Sequence, residues 1–158
     1  EPLFARNVDL ALDVGVEALE KCFEGVPDQV TRTMHMCCGY PGHLDDEDYE
    51  KADPNSYLEL AGALDACLVN NISIEDAHRH NDLSLLEQFR DSTVIFGCIA
   101  IATTRVETSE EIAHRLRAAL NHIDSHRLIA APDCGLTMLG RDLAMTKLKR
   151  MCEAASAL

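Results

Sequence analysis

The stretch Thr93-Val-Ile-Phe-Gly-Cys-Ile-Ala-Ile-Ala102 is a continuous apolar run, without alternation of polar and apolar side chains. Such a run is typical of a strand in a sheet that is covered on both faces, as parallel sheets are. Three shorter runs, Val30–Cys37, Asn71–Glu75 and Leu128–Cys134, are also predicted to be strands. Together the four runs favour a parallel α/β fold.

Helical segments separate these strands. Residues 4–24 carry apolar side chains at helical spacing, and the pattern ends at Gly25 and Pro27. The alternation of strands and helices, with short connections and no Asn-Gly hairpin turn, predicts parallel strands joined by helical crossovers. The further predicted helices run from Asn55 to about Leu68, from Asn81 or Asp82 through Phe89, from the capping box at Thr108 to about Ile123, and from about Arg141 to Ala155.

The four predicted strands are half the number in a (β/α)8 TIM-type barrel. A typical barrel of this type needs about 250 residues, whereas this chain has 158. Its chemically reactive side chains lie at or just after strand ends, where such barrels place their active sites. We therefore expect residues 1–158 to form the second, C-terminal half of a catalytic barrel and to be a fragment of a longer chain.

Charge and composition argue against some classes of binding partner. The formal net charge is −13 and the isoelectric point is about 4.8, which argues against nucleic acid and against an anionic membrane surface. The sequence has no recognisable signal peptide and no apolar stretch of transmembrane length. Its seven cysteines are an odd number within predicted strands and helices, so we expect a reducing, cytoplasmic location.

Four side chains at strand ends form a candidate metal site. His35 and Cys37 are two residues apart on a predicted strand, so their side chains point to one face. Glu75 closes the next strand, and Cys134 follows the last one. Thiolate, imidazole and carboxylate groups are the ligands of tetrahedral zinc sites. If the strands face a common axis, these groups predict a zinc site that activates a substrate thiol.

A purely structural interpretation of these residues is also open at this stage. A lone His-x-Cys pair is a weak signal, and Cys134 at a strand end is compatible with a small buried core residue. Glu75 is harder to explain in this way, because an unpaired carboxylate is costly to bury. From the residues alone, neither metal binding nor core packing is excluded.

Several segments resemble the C-terminal catalytic barrel of cobalamin-independent methionine synthases and their relatives. The matching segments are His35-Met-Cys37, Ile72-Ser-Ile-Glu75 with the following Asn81-Asp-Leu-Ser-Leu-Leu86, and Ala131-Pro-Asp-Cys-Gly-Leu136, while Glu1-Pro2 resembles the end of an Asp-Glu-Pro strand motif. The resemblance spans nearly the whole chain. It implies a TIM-type barrel and a Zn2+ cofactor held by His35, Cys37, Glu75 and Cys134.

The resemblance also implies an activity. Members of this family transfer a methyl group to the zinc-activated thiol of homocysteine and form methionine. We expect a zinc-dependent methyltransferase of this type, with methyl-folate or methylcobalamin as the donor. Glu1, Ser73 and Arg105 are candidate substrate-binding residues.

The sequence departs from the family pattern on the donor side. The family has an Asp-Ile-His segment on the strand after the glutamate ligand, and Ala100 and Ala102 replace its Asp and His here. A methyl-folate donor needs its leaving nitrogen protonated, which is the work of a general acid. His78 and His80, in the turn after Glu75, are candidates for proton transfer, with a solvated loop histidine as the alternative.

Two other functions are consistent with the same residues. The superfamily includes epoxyalkane:coenzyme M transferases, in which a similar zinc site activates another thiol. Arg79 or Arg105 is then a candidate partner for the sulfonate, with a surface charge as the alternative for either residue. The chain could instead be a catalytically incompetent zinc-binding half barrel, because an open half barrel exposes two sheet edges. Its partner would be the missing barrel half or a second copy of the chain.

Overall fold

A computed structural model describes residues 7–158 of the chain. The candidate substrate residue Glu1 and the first part of the predicted N-terminal helix therefore lie outside the described residues. The helices are α1 (Val8–Leu10), α2 (Val16–Phe23), α3 (Asn55–Asp65), α4 (Ser109–Ala119) and α5 (Arg141–Ala155), and a π-helical segment, Ala11–Gly15, connects α1 to α2.

Within residues 7–158, four strands form one parallel sheet. They are β1 (Thr33–Met36), β2 (Asn71–Ile74), β3 (Thr93–Ile99) and β4 (Leu128–Pro132), and they lie side by side in sequence order. Each neighbouring pair is connected through helical structure, so all four carboxyl ends meet at the same edge. The predicted parallel α/β arrangement is confirmed, and this edge carries the candidate metal ligands.

The core lies between the sheet and the helices. Phe96 of β3 and Ile74 of β2 are fully buried and share one apolar cluster with Leu64 of α3 and Leu116 of α4. Removing an aromatic or branched side chain of this size from water contributes about 1.5–3 kcal/mol. Met36 belongs to the same cluster, so the helix-facing side of β1 is the apolar one and its neighbours in sequence face the other way.

Several predicted elements end earlier than expected, and two differ in a further way. The first strand is shorter than the predicted Val30–Cys37, because the Val30 amide donates to the Pro27 carbonyl in a turn at 2.9 Å. The predicted helix through Phe89 is a 3-10 helix, Leu83–Gln88, capped by the Asp82 side chain. Its hydrogen bonds span three residues, as in the bond of 3.1 Å from the Leu85 amide to the Asp82 carbonyl.

The capping box at Thr108 is confirmed, since Thr108 and Glu111 exchange side-chain and backbone hydrogen bonds at the start of α4. Among residues 7–158, none of the helices has the length and apolar character needed to cross a membrane.

Candidate metal centre

The four predicted metal ligands converge at the carboxyl edge of the sheet. His35 lies on β1, Cys37 directly follows that strand, Glu75 follows β2 and Cys134 lies two residues beyond β4. One ligand atom of each residue lies within 4.8 Å of the ligand atoms of the other three. The three segments that carry these residues are far apart in sequence, so their convergence comes from the parallel sheet.

The chemistry of this donor set fits zinc. It contains two sulfur atoms, one imidazole nitrogen and one carboxylate oxygen, which suit tetrahedral zinc better than magnesium or calcium. In a tetrahedral site with zinc–ligand distances of about 2.0–2.3 Å, two ligand atoms lie about 3.3–3.8 Å apart. The four side chains therefore need only small movements to bind one ion.

Cys37 and Glu75 already face each other. The Cys37 thiol donates to Glu75 Oε1 at 3.2 Å, and the Gly39 amide donates to the Cys37 sulfur at 3.4 Å. Burial, with the Glu75 carboxylate adding to it, raises the pKa of Cys37 to about 12. The protein alone thus keeps this thiol protonated, and a cation is needed to hold the thiolate that a metal ligand must be.

His35 is oriented by its neighbour on β2. Its Nδ1 lies 2.9 Å from the Ser73 hydroxyl oxygen, and His35 and Ser73 are paired in register across the two strands. Nε2 is therefore the nitrogen available to a metal, in the arrangement by which a second hydrogen bond sets the tautomer of a ligand histidine. Desolvation of the ring lowers the pKa of His35, which favours the neutral form that binds metals.

Lys51 is a member of this site that the sequence did not reveal. It comes from the loop between β1 and α3, and its ammonium group lies 3.3 Å from Glu75 Oε2. The Lys51 and Glu75 side chains are only 12% and 4% exposed, so the buried carboxylate has a countercharge on one oxygen and the Cys37 thiol on the other.

Tyr57 connects the two strand ends that carry Cys37 and Glu75. Its hydroxyl donates to the Met36 carbonyl at 2.6 Å and accepts from the Glu75 amide at 3.2 Å. The β1–β2 ladder ends at the pair Met36–Ile74, and the phenol oxygen bridges the two backbones directly beyond it. The sequence places Tyr57 on the buried face of α3, but it does not show that the hydroxyl reaches the metal site.

His78 and His80 have different surroundings. The His78 ring is only 8% exposed and its Nδ1 lies 2.7 Å from Asp133 Oδ2, while its Nε2 accepts from the Ala102 amide at 3.1 Å. Nδ1 must therefore carry the proton, and His78 is not a solvated loop residue. His80 is exposed. Both line a cleft of about 1160 Å³ beside the ends of β2 and β3.

The two alanines that depart from the family pattern are fixed by hydrogen bonds of their backbone groups. Ala100 and Ala102 are 6% and 3% exposed. The Ala100 amide donates to Glu107 Oε1 at 2.9 Å, and its carbonyl accepts from the buried Lys147 ammonium at 2.9 Å. Lys147 also pairs with Glu107 at 3.1 Å, so a buried ion pair fixes this strand end.

Arg105 lies apart from the four ligands. It lines the same cleft as His78 and His80, and its guanidinium pairs with Glu111 at the start of α4. About 61% of the Arg105 side chain is exposed. Its positive charge therefore already has a carboxylate partner at the rim of the cleft.

Comparison with known proteins defines the class of molecule. The family model of the catalytic domain of cobalamin-independent synthases matches residues 5–157, and the chain therefore belongs to this family. Methionine synthases from Thermococcus kodakarensis and Pyrococcus abyssi are 30% and 27% identical, with alignments covering 96% and 98% of this chain. The chain spans about 40% of the length of these relatives.

A solved structure confirms the fold. The B12-independent methionine synthase from Shewanella sp. W3-18-1, in complex with selenomethionine, superposes with a TM-score of 0.84 at 29% identity. The match covers 99% of this chain and 46% of that protein. The prediction of an α/β fold that resembles part of a TIM barrel is therefore confirmed, as is the predicted resemblance to the methionine synthase family.

Proposed function

We propose that this chain carries the thiol-activating part of a zinc-dependent methyltransferase that converts homocysteine to methionine. The observation that carries the proposal is the convergence of two thiols, an imidazole and a carboxylate within 4.8 Å in a member of the cobalamin-independent synthase family. We further propose that residues 1–158 are the C-terminal half of the catalytic barrel within a longer chain.

The proposed ligands are His35, Cys37, Glu75 and Cys134. A zinc ion bound there would lower the pKa of a substrate thiol and stabilise its thiolate at neutral pH. Two neighbouring side chains support this role. The Ser73 hydroxyl, 2.9 Å from His35 Nδ1, orients the imidazole ring. The Lys51 ammonium group, 3.3 Å from Glu75 Oε2, is an alternative partner for the carboxylate. Glu75 is the hardest ligand, and it is the one we expect to yield to an incoming thiol.

The donor side is less specified than the acceptor side. Ala100 and Ala102 have no acidic proton to give, and both backbone amides already bond within the protein. We propose proton transfer to a methyl-folate donor from His80, which is exposed, or from His78, which would first have to break one of its two ring hydrogen bonds. Methylcobalamin is the alternative donor, since it makes no demand for a proton on a leaving nitrogen.

Substrate contacts are proposed for three further positions. Ser73 lies next to the metal ligands through His35, and Arg105 lies at the rim of the cleft. Glu1 keeps its proposed role at a position outside the described residues. The remaining proposed partner is the rest of the barrel or a second copy of the chain. We propose a cytoplasmic location, because the seven free cysteines would stay reduced there.

The test is an activity assay of the full-length protein with each acceptor and donor. The expected result is methionine from homocysteine with methyl-folate or methylcobalamin, lost when zinc is chelated and restored when zinc is returned. Product from coenzyme M and an epoxide, with none from homocysteine, would replace this proposal with the thiol-alkylating alternative. Zinc binding without turnover of any pair would indicate the catalytically incompetent form.

A further inference from the structure

The four proposed metal ligands come from three strands, and these strands are not all adjacent in the sheet. His35, Cys37 and Glu75 come from the neighbouring β1 and β2, whereas Cys134 follows β4. Strand β3 lies between β2 and β4 and contributes none of the four ligands. The spacing between Glu75 and Cys134 must therefore be maintained across an intervening strand.

The side chain of Asp133 makes this connection. Its Oδ1 accepts hydrogen bonds from the backbone amides of Asp76 and Ala77, both at 2.9 Å. Its Oδ2 accepts from the His78 amide at 2.8 Å and lies 2.7 Å from His78 Nδ1. The Asp133 carboxylate, directly before Cys134, thus binds the three residues that begin the turn after Glu75.

The Asp133 carboxylate crosses strand β3 at a position that has no side chain. Position 97 is glycine, and a Cβ atom there would lie 2.1 Å from Asp133 Oδ1 and 2.9 Å from the Asp133 Cα. It would also lie 3.0 Å from the Ile74 carbonyl oxygen of β2. The missing side chain at Gly97 is therefore a steric requirement for the bridge between β2 and β4.

The bridge is fixed at both ends. Asp133 is fully buried, and its own amide donates to the Ile99 carbonyl of β3 at 2.9 Å. His78 is held from its other side by the Ala102 amide at 3.1 Å. A buried carboxylate with every oxygen occupied has little freedom to move, because each lost hydrogen bond would leave a polar group unsatisfied.

We infer that Asp133 is a positioning residue that sets the separation between Glu75 and Cys134 and so determines the geometry of the metal centre. The inference rests on the proposed zinc site. Asp133 is covalently next to one ligand and hydrogen-bonded to the residue next to another, so a shift of its carboxylate moves both. Groups that orient metal ligands in this way commonly change metal affinity about 10- to 100-fold when they are replaced.

The experiment compares Asp133→Asn with a matched control, Asp65→Asn, in the full-length protein. Asp65 also accepts several backbone amides, from Arg90 at 2.8 Å, Asp91 at 3.2 Å and Ser92 at 2.9 Å. These amides precede β3, so Asp65 acts at the opposite edge of the sheet. Both variants lose a carboxylate that accepts hydrogen bonds from several backbone amides, but only Asp133 is adjacent in sequence to a proposed metal ligand.

The measurements are zinc affinity by chelator competition and the absorption spectrum of the Co2+-substituted protein, which reports thiolate ligands. For Asp133→Asn we expect a loss of zinc affinity of about 10- to 100-fold and weaker thiolate-to-cobalt absorption, with both properties unchanged in Asp65→Asn. Wild-type affinity and spectrum in a folded Asp133→Asn protein would overturn the inference. Absence of metal binding by the wild type would instead overturn the proposed function.

A second variant covers the case in which Asp133→Asn does not fold. Gly97→Ala keeps the carboxylate and displaces it, since the added Cβ would overlap Asp133 Oδ1. The same fall in zinc affinity and change in cobalt spectrum are expected. Their absence in folded Gly97→Ala protein would contradict the inference, because the carboxylate would then have moved without consequence for the metal.

Discussion

The Cys37 thiol donates to Glu75 Oε1 at 3.2 Å, across the ends of two neighbouring parallel strands. These residues lie 38 positions apart in sequence, and the register that pairs Met36 with Ile74 places them opposite each other. Two of the four proposed ligands are thus in contact with each other in this structure. Metal binding would replace one proton between them, so little reorganisation is needed.

Replacement of Cys134 by serine tests the strand end that is farthest in sequence from the other ligands. We expect Cys134→Ser to weaken zinc binding by at least tenfold, because the hydroxyl is a poor substitute for a thiolate ligand. Chelator competition measures the affinity. Cys22→Ser is the matched control, since Cys22 is exposed on α2, and an equal loss in the two variants would argue against a specific role for Cys134.

The pH dependence of zinc affinity tests the state of Cys37. Burial raises the pKa of this thiol to about 12, so it is protonated at neutral pH and must release its proton when a metal binds. Each released proton makes the apparent affinity rise about tenfold per pH unit below that pKa. After correction for protonation of the chelator, the slope of log affinity against pH should be smaller by about one in Cys37→Ser. Identical slopes would contradict this account.

Removal of the Tyr57 hydroxyl tests the bridge between β1 and β2. In Tyr57→Phe the Met36 carbonyl and the Glu75 amide lose their shared partner, which should cost about 1–3 kcal/mol of unfolding free energy. Urea denaturation measures this loss. Tyr40→Phe is the control, because Tyr40 is 43% exposed, and it should change stability by less than about 0.5 kcal/mol. Similar values for both variants would show that the bridge contributes little.

The buried Lys147–Glu107 pair provides a stability prediction away from the metal ligands. Lys147→Met leaves Glu107 and the Ala100 carbonyl without their cation, and an uncompensated buried charge costs about 3–5 kcal/mol. Lys149→Met is the control on the same helix, since the Lys149 side chain is 76% exposed. We expect a large fall in the denaturation midpoint for the first variant only. A fall of equal size in both would mean that the buried pair has no special role.

The sequence predicts the four strands and the common face of His35 and Cys37, because both follow from local patterns. Side chains alternate along a strand, so His35 and Cys37 must share a face, and Met36 must point into the core, as its 8% exposure confirms. The parallel order of strands then brings the carboxyl ends together. Periodicity is enough for the shared face of His35 and Cys37, whereas the meeting of the strand ends depends on the parallel order of the sheet.

The residues that organise the site could not be predicted in this way. The bond from the Asp76 amide to Asp133 joins positions 57 residues apart, and Lys147 reaches Ala100 over 47 positions. Contacts of this range depend on how helices and strands pack, and a single sequence carries no signal for them. Gly97 lies within the apolar run of β3, and the reason for a glycine at this position is evident only with Asp133 beside it.

The central claim is that this site binds zinc and that the zinc activates a substrate thiol. The most direct measurement is the absorption spectrum of the Co2+-substituted full-length protein before and after addition of homocysteine. The account predicts stronger thiolate-to-cobalt absorption with homocysteine and no change with homoserine, which has a hydroxyl in place of the thiol. An unchanged spectrum at saturating homocysteine would contradict the claim.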